Sequence, residues 1–241
     1  EKSDFIAMPV VHNGRVYIGT GQDPEHSGGP GNLWCLDLKK AVELGAKAAD
    51  RDVSPELVVK VEKQADGTDK VTTKPNPCSA LVWKYGGEEN RPWAPRDFKF
   101  ERTLSTVAVL DDVVYAAELN GYLHCLNAKT GEMYWQHDTK ASVWGSPLVV
   151  DGKVLLATND GDLLVFRHDP KPKTFDPIEA GKNAPDAKAA RALQKAEKVK
   201  SEKEYLAAKI EFPDSFQSTP VVAGGVLFVA TENTLYAIGK K

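Results

Sequence analysis

Cysteine is scarce: the 241 residues contain three, at positions 35, 78 and 125. So few, and odd in number, they exclude a disulfide framework. Long apolar runs are missing too, and none approaches the roughly 18 residues that a membrane-spanning helix needs. Neither sign of charge is in excess, the net being −3, so no global field calls for nucleic acid or an anionic membrane. No signal peptide is seen, because Glu1-Lys2-Ser3-Asp4 leads straight into a strand pattern. A Gly-rich phosphate loop, a Ser-His-Asp order and a basic–aromatic patch are all lacking, which leaves nothing that points to phosphate chemistry, serine-type hydrolysis or nucleic-acid binding. His12, His124, His137 and His168 share no metal-ligand spacing; solvent or an ordinary hydrogen bond is the expectation for each.

Repetition is what the chain does have. Residues 143–168, VWGSPLVVDGKVLLATNDGDLLVFRH, read as three short strands. Asp151-Gly152 and Asn159-Asp160-Gly161 form the turns, with glycine supplying positive φ without a Cβ clash. The runs between them are rich in Val and Leu, as strands covered on both faces are. Three further copies start near Ile6, Leu104 and Gln217. Aligned on the turn, Pro9, Val107, Pro147 and Pro220 are equivalent, as are Asn13, Asp111, Asp151 and Gly224. The second copy adds a fourth strand, Glu132–His137, after the turn Ala128-Lys129-Thr130-Gly131. Four antiparallel strands in about 40 residues make a propeller blade. The fold expected is therefore an all-β propeller portion of about four blades, over residues 5–85, 103–138, 143–212 and 216–238. The last has three strands.

The copies depart from the template in particular places. The first blade's second turn swells into residues 19–31, and residues 39–80 interrupt it before the strand Leu81–Tyr85, with a short helix expected near Ser54-Pro55-Glu56. Residues 86–102 then link to the second blade. The third blade carries an insertion over 169–207. Asp186 is placed to start a helix there; Leu193, Val199 and Leu206, its large aliphatics, would hold it as one thin apolar stripe. The outer strand would follow at Lys209–Phe212.

The unit S-P-x-x-x-x-G-x-V-x-x-x-x-x-x-G-x-L resembles the repeats of pyrroloquinoline-quinone-like (PQQ-like) propellers, and Cys125 to Trp135 resembles their tryptophan-docking motif. The resemblance gives Trp83, Trp135, Gly131, Gly152 and Gly161 structural roles. It is nearest to the form found in planctomycete-type bacteria, through the loop Gln22-Asp23-Pro24-Glu25-His26 and the ending Leu235 to Lys240. It implies a seven- or eight-bladed ring of which this would be the C-terminal half, the open blade edges being covered by a missing N-terminal half or another chain. It also implies a periplasmic or otherwise extracytoplasmic setting.

Ligands of such propellers sit on the face of the loops joining second to third strands and successive blades. Asp23, Glu25 and His26 fall there, an acid–acid–imidazole set able to ligate a metal or bind a polar substrate. So do Arg91, Trp93, Arg96 and Asp97, able to hold a carboxylate or a sugar face. Trp144 is placed to line the central channel. The resemblance offers two functions. One is a non-catalytic scaffold binding protein or carbohydrate partners, with no cofactor. The other is part of a quinoprotein dehydrogenase using PQQ and Ca²⁺, although the chain has no adjacent cysteine pair. Cys35 and Cys125 align with Val165 and Ala237, as small buried packing residues do, and a Cys35–Cys78 bridge is disfavoured.

Overall fold

The computed structural model describes residues 6–21, 29–47, 57–64 and 66–239. The first sheet is built from β1 (Val10–His12), β2 (Arg15–Thr20) and β3 (Asn32–Asp37). The chain then leaves it through helix α1 (Leu38–Lys47) and a separate hairpin, β4 (Leu57–Lys63) with β5 (Asp69–Pro75). It returns as β6 (Leu81–Glu88) and β7 (Phe98–Phe100), giving the order β1-β2-β3-β6-β7. The second sheet is β8 (Ala108–Leu110), β9 (Val113–Ala117), β10 (Tyr122–Asn127) and β11 (Met133–Asp138). The third is β12 (Leu148–Val150), β13 (Lys153–Ala157), β14 (Asp162–Arg167) and β15 (Leu206–Glu211), with helix α2 (Ala187–Tyr205) between its last two strands. The fourth has three strands, β16 (Val221–Ala223), β17 (Val226–Ala230) and β18 (Leu235–Ile238). This is a partial β-propeller, with blades of antiparallel strands meandering from inside to outside.

Local chemistry sets the meander. The aligned turn residues Asn13, Asp111, Asp151 and Gly224 take left-handed φ of 48°, 48°, 49° and 57°, the conformation that Asn, Asp and Gly reach most cheaply. Strand alternation then builds the core between blades. From β9, Val114 and Ala116 face the first blade with Leu126 and Ala128, against Tyr17, Leu33, Cys35 and Trp83. Val113, Tyr115 and Ala117 face the third blade, against Val154, Leu156, Leu164 and Phe166. Both faces of the sheet are covered, so β9 and β14 read as continuous apolar runs.

Hydroxyls clasp the blades at their inner ends. The Met8 amide donates to Thr106 Oγ1, the Thr106 amide to Ser146 Oγ and the Ser146 amide to Thr219 Oγ1, at 3.3, 2.9 and 2.8 Å. These positions are equivalent in the four copies, each just before the Pro or Val that opens an inner strand. The Ser of the S-P pair is thus an inter-blade acceptor. At the outer ends, Trp83 of the first blade donates from Nε1 to the Ala128 carbonyl of the second, at 2.9 Å. Gly131, at φ +75°, lies beneath that indole, and a Cβ built on it would come within 2.7 Å of the ring. Cys35 and Cys125 pair across the ladder with Trp83 and Trp135. All three cysteines are buried and none forms a disulfide with another.

Three local expectations are corrected, and a fourth falls outside the described residues. The helix expected near Ser54–Glu56 falls on residues outside the described ones; helix α1 precedes that point and the β4–β5 hairpin follows it. The linker 86–102 contributes a fifth strand, because β6 continues through Gly86 and Gly87 and pairs with β7. The third blade's outer strand starts at Leu206, not Lys209. Helix α2 begins at its expected cap, the Asp186 carboxylate accepting from the Ala189 amide at 2.8 Å. Leu193 and Val199, however, do not hold it down: they are 48% and 49% exposed. Ala190, Gln194, Ser201 and Tyr205 are the buried residues. Small side chains let the helix lie close on the turn at residues 179–181, where Ala190 and Gln194 abut Gly181, so no large aliphatic fits beneath.

Candidate functional site

Two of the segments that break the repeat meet on the outer flank of the blades. From the 86–102 linker, Arg91 donates to both oxygens of Glu89, at 2.9 and 2.8 Å, and to Asp176 of the third-blade insertion at 2.5 Å. The hydrogen bonds from Arg91 hold the Glu89 carboxyl below the usual carboxylate range. In return Glu89 and Asp176 raise Arg91 above its ordinary value, against the opposing effect of burial. Asp176 also accepts from the Ile178 amide at 3.0 Å, fixing the turn that enters the insertion. The Trp93 carbonyl takes a hydrogen bond from Gln194 on α2, at 2.9 Å.

Arg96 reaches deeper. Its side chain is 7% exposed and donates to Glu118 at 2.6 Å and Glu101 at 3.1 Å. Its guanidinium lies 3.9 Å from the centre of the Tyr122 ring. Burial works against the charge, but the two carboxylates outweigh it and the Arg96 pKa is raised. Glu118, fully buried, contacts His124 Nε2 at 2.6 Å, and His124 Nδ1 meets the Tyr85 hydroxyl at 3.2 Å. The Tyr85 hydroxyl also donates to Met133 Sδ at 3.4 Å, which extends the network to β11. Burial raises Tyr85 above its ordinary value. A buried charge is stable only when paired and hydrogen-bonded, and this network does both while tying the linker to the second blade.

Two clefts flank the network. One, of about 540 Å³, lies between β6, β11 and residues 174–178 and is lined by Lys84, Arg91, Arg96, Lys99, Glu89 and Met133 among others. The other, of about 560 Å³, lies between β11 and α2. Both volumes fall within the range of small-ligand sites. Asp23, Glu25 and His26 lie outside the described residues. Asp97 shares the linker with Arg91, Trp93 and Arg96, but its side chain is exposed and its carbonyl accepts from the Glu89 amide. Trp144 is far from this group in the blade order, 42% exposed just ahead of inner strand β12. Sequence reasoning missed Glu89, Glu118, Asp176 and Gln194. A carboxylate in the apolar run Tyr115 to Leu119 was the available signal for Glu118, since a charge there needs a partner.

The sequence model of a family described as outer membrane protein assembly factor BamB matches residues 74–170. That span runs from the end of the first insertion through the second blade and three strands of the third. A quinohemoprotein alcohol dehydrogenase, ADH-IIG of Pseudomonas putida, is 33% identical over 88 residues, which are 34% of this chain and 12% of that protein. The crystal structure of BamB from Moraxella catarrhalis superposes on 98% of this chain with a TM-score of 0.51 at 11% identity. This chain carries PQQ-like propeller repeats. It covers 43% of that BamB chain. Quinohemoprotein alcohol dehydrogenase from Comamonas testosteroni aligns over 95% of this chain and 29% of its own, with a TM-score of 0.45 and 16% identity.

Among the described residues no three His, Cys, Asp or Glu side chains converge on a point where a metal ion could sit. Glu89 and Asp176 are instead bound to Arg91, and Glu101 and Glu118 to Arg96. Burial pushes the Cys35 thiol up to about 11 and Cys125 well above its ordinary value, so neither is a thiolate nucleophile. Among the described residues, the side chains of this flank do not form a ligand set for Ca²⁺.

Proposed function

We propose that this chain is the portion of a larger PQQ-like ring that serves as a non-catalytic binding scaffold, recruiting its partner through the outer flank. The observation that carries this reading is the use of the ionic side chains there. Arg91 and Arg96 join linker, insertion and second blade into one rigid surface with two clefts, and rigid elements are what present a binding site precisely. The larger ring is supported by the end faces. Val221 and Leu235 on the fourth sheet are 53% and 67% exposed, on the side turned away from the third blade. In a closed ring another blade would bury them. An extracytoplasmic setting is part of the proposal and rests on the family description. No helix among the described residues is long and apolar enough to cross a membrane.

The match to the Pseudomonas putida dehydrogenase favours a second reading, a portion of a quinoprotein oxidoreductase. One experiment separates them. The protein is incubated with PQQ and Ca²⁺, then assayed for a bound-quinone absorption band and for dye reduction with alcohols and sugars. The scaffold reading expects neither signal; both together would overturn it.

A further inference from the structure

The groove between β11 and α2 has a composition unlike the rest of the flank. Pro95, Tyr122, Pro177 and Ile178 give it an apolar lining, and Val199 stands half exposed at its edge. Four cations line it, Lys140, Arg191, Lys195 and Lys198, against two carboxylates, Asp138 and Glu202. Lys140 and Lys198 share Asp138, and Lys198 also approaches Glu202. Arg191 and Lys195 are different. They sit one helical turn apart on the same face of α2, both exposed, and neither forms an ion pair with any described residue. The helix thus presents two unneutralised cations beside an apolar floor, with an exposed aliphatic between floor and solvent.

We propose that this groove binds a short acidic peptide segment carrying an apolar side chain. Two carboxylates spaced along an extended segment would meet Arg191 and Lys195. The apolar side chain would settle on Tyr122, Pro95 and Ile178 and cover Val199. A nucleic acid is the poorer fit, because its phosphates need a longer basic track than two free cations provide. The proposal deepens the scaffold reading by naming a ligand class, but its test is independent of the quinone assay, so either can fail alone.

The test uses the full chain and a fluorescein-labelled hexapeptide, Glu-Asp-Leu-Phe-Asp-Glu, followed by fluorescence anisotropy at low salt. Saturable binding is expected, weakening as NaCl is raised. The double substitution Arg191→Glu with Lys195→Glu should weaken it about tenfold or more. Val199→Asp, which places a carboxylate in the groove, should weaken it severalfold. Lys153→Glu, on the exposed side of the third blade, should leave it unchanged. Circular dichroism establishes that each variant is folded. The proposal is overturned if the peptide does not saturate at millimolar concentration, if the double reversal has no effect, or if the Gln/Asn version of the peptide binds equally well. Displacement of the peptide by a single-stranded oligonucleotide at lower concentration than by unlabelled peptide would overturn it too.

Discussion

Replacing Arg96 by leucine tests whether the outer flank is held by the buried ionic network. The substitution removes the donor to Glu118 at 2.6 Å and to Glu101 at 3.1 Å, together with the stack on Tyr122. Glu118 has no solvent-exposed side-chain surface and would be left with His124 alone. Removing one partner of a buried pair costs about 3–5 kcal/mol, most of it the uncompensated charge left behind. Leucine recovers part of the lost packing, so about 4 kcal/mol is expected. For a chain of this size that lowers Tm by roughly 10 °C. Urea unfolding with an unchanged m-value would report it as a lower midpoint. The decisive measurement is the second mutation. Glu118→Gln on the Arg96→Leu background keeps an acceptor for His124 but removes the stranded charge, and about 2 kcal/mol should return. A loss below about 1 kcal/mol for Arg96→Leu, or a double variant no more stable than the single, would refute the reasoning.

Gly131→Ala should destabilise by more than 1 kcal/mol, because it combines φ +75° with a Cβ 2.7 Å from the Trp83 ring; thermal unfolding measures it, and Gly152→Ala, which meets nothing within 4 Å, should cost only the strain of its positive φ. Ser146→Ala removes the acceptor for the Thr106 amide and should cost about 1–2 kcal/mol, with faster hydrogen exchange at that amide. His137 is held down to about 4, first by burial and then by the Lys198 and Lys140 ammonium groups, with Asp138 opposing. A histidine depressed in the folded state contributes stability that is present above its unfolded value near 6.5 and is lost as pH falls toward 4. Stability should therefore decline across that window by at most about 3 kcal/mol, and His137→Phe should flatten the decline in urea midpoints.

Legibility followed the range of the forces involved. The blade turns could be read because Asn13, Asp111, Asp151 and Gly224 need only their own backbone chemistry to take positive φ. The docking role of Gly131 could be read because the motif from Cys125 to Trp135 is contiguous. The β4–β5 hairpin could not. Its second strand buries almost nothing, so no alternation marks it, and only Asp66-Gly67 signals the turn. Arg96 and Glu118 belong to two different loops and His124 to β10. Each is ordinary alone, and their partnership exists only after the linker has folded back over the second blade.

The third-blade insertion illustrates why departures from a repeat are not decoration. In the second blade, the turn from Asn127 to Gly131 receives Trp83 of the blade before it. The third blade has no such turn, since residues 168–205 stand between β14 and β15. Trp135, the equivalent tryptophan, would be left without its seat. Tyr205, the last residue of α2, supplies one: its ring stacks on Trp135 with centroids 4.2 Å apart and planes 10° from parallel, and its hydroxyl donates to the Gln136 carbonyl at 3.3 Å. An aromatic pair contributes about 0.5–1.5 kcal/mol beyond area burial, and Tyr205 also covers Phe166 and His137. Excising the insertion would therefore uncover the core between the second and third blades. Charge reversal at Arg191 and Lys195, which leaves Tyr205 in place, separates recognition from stability where a deletion would confound them.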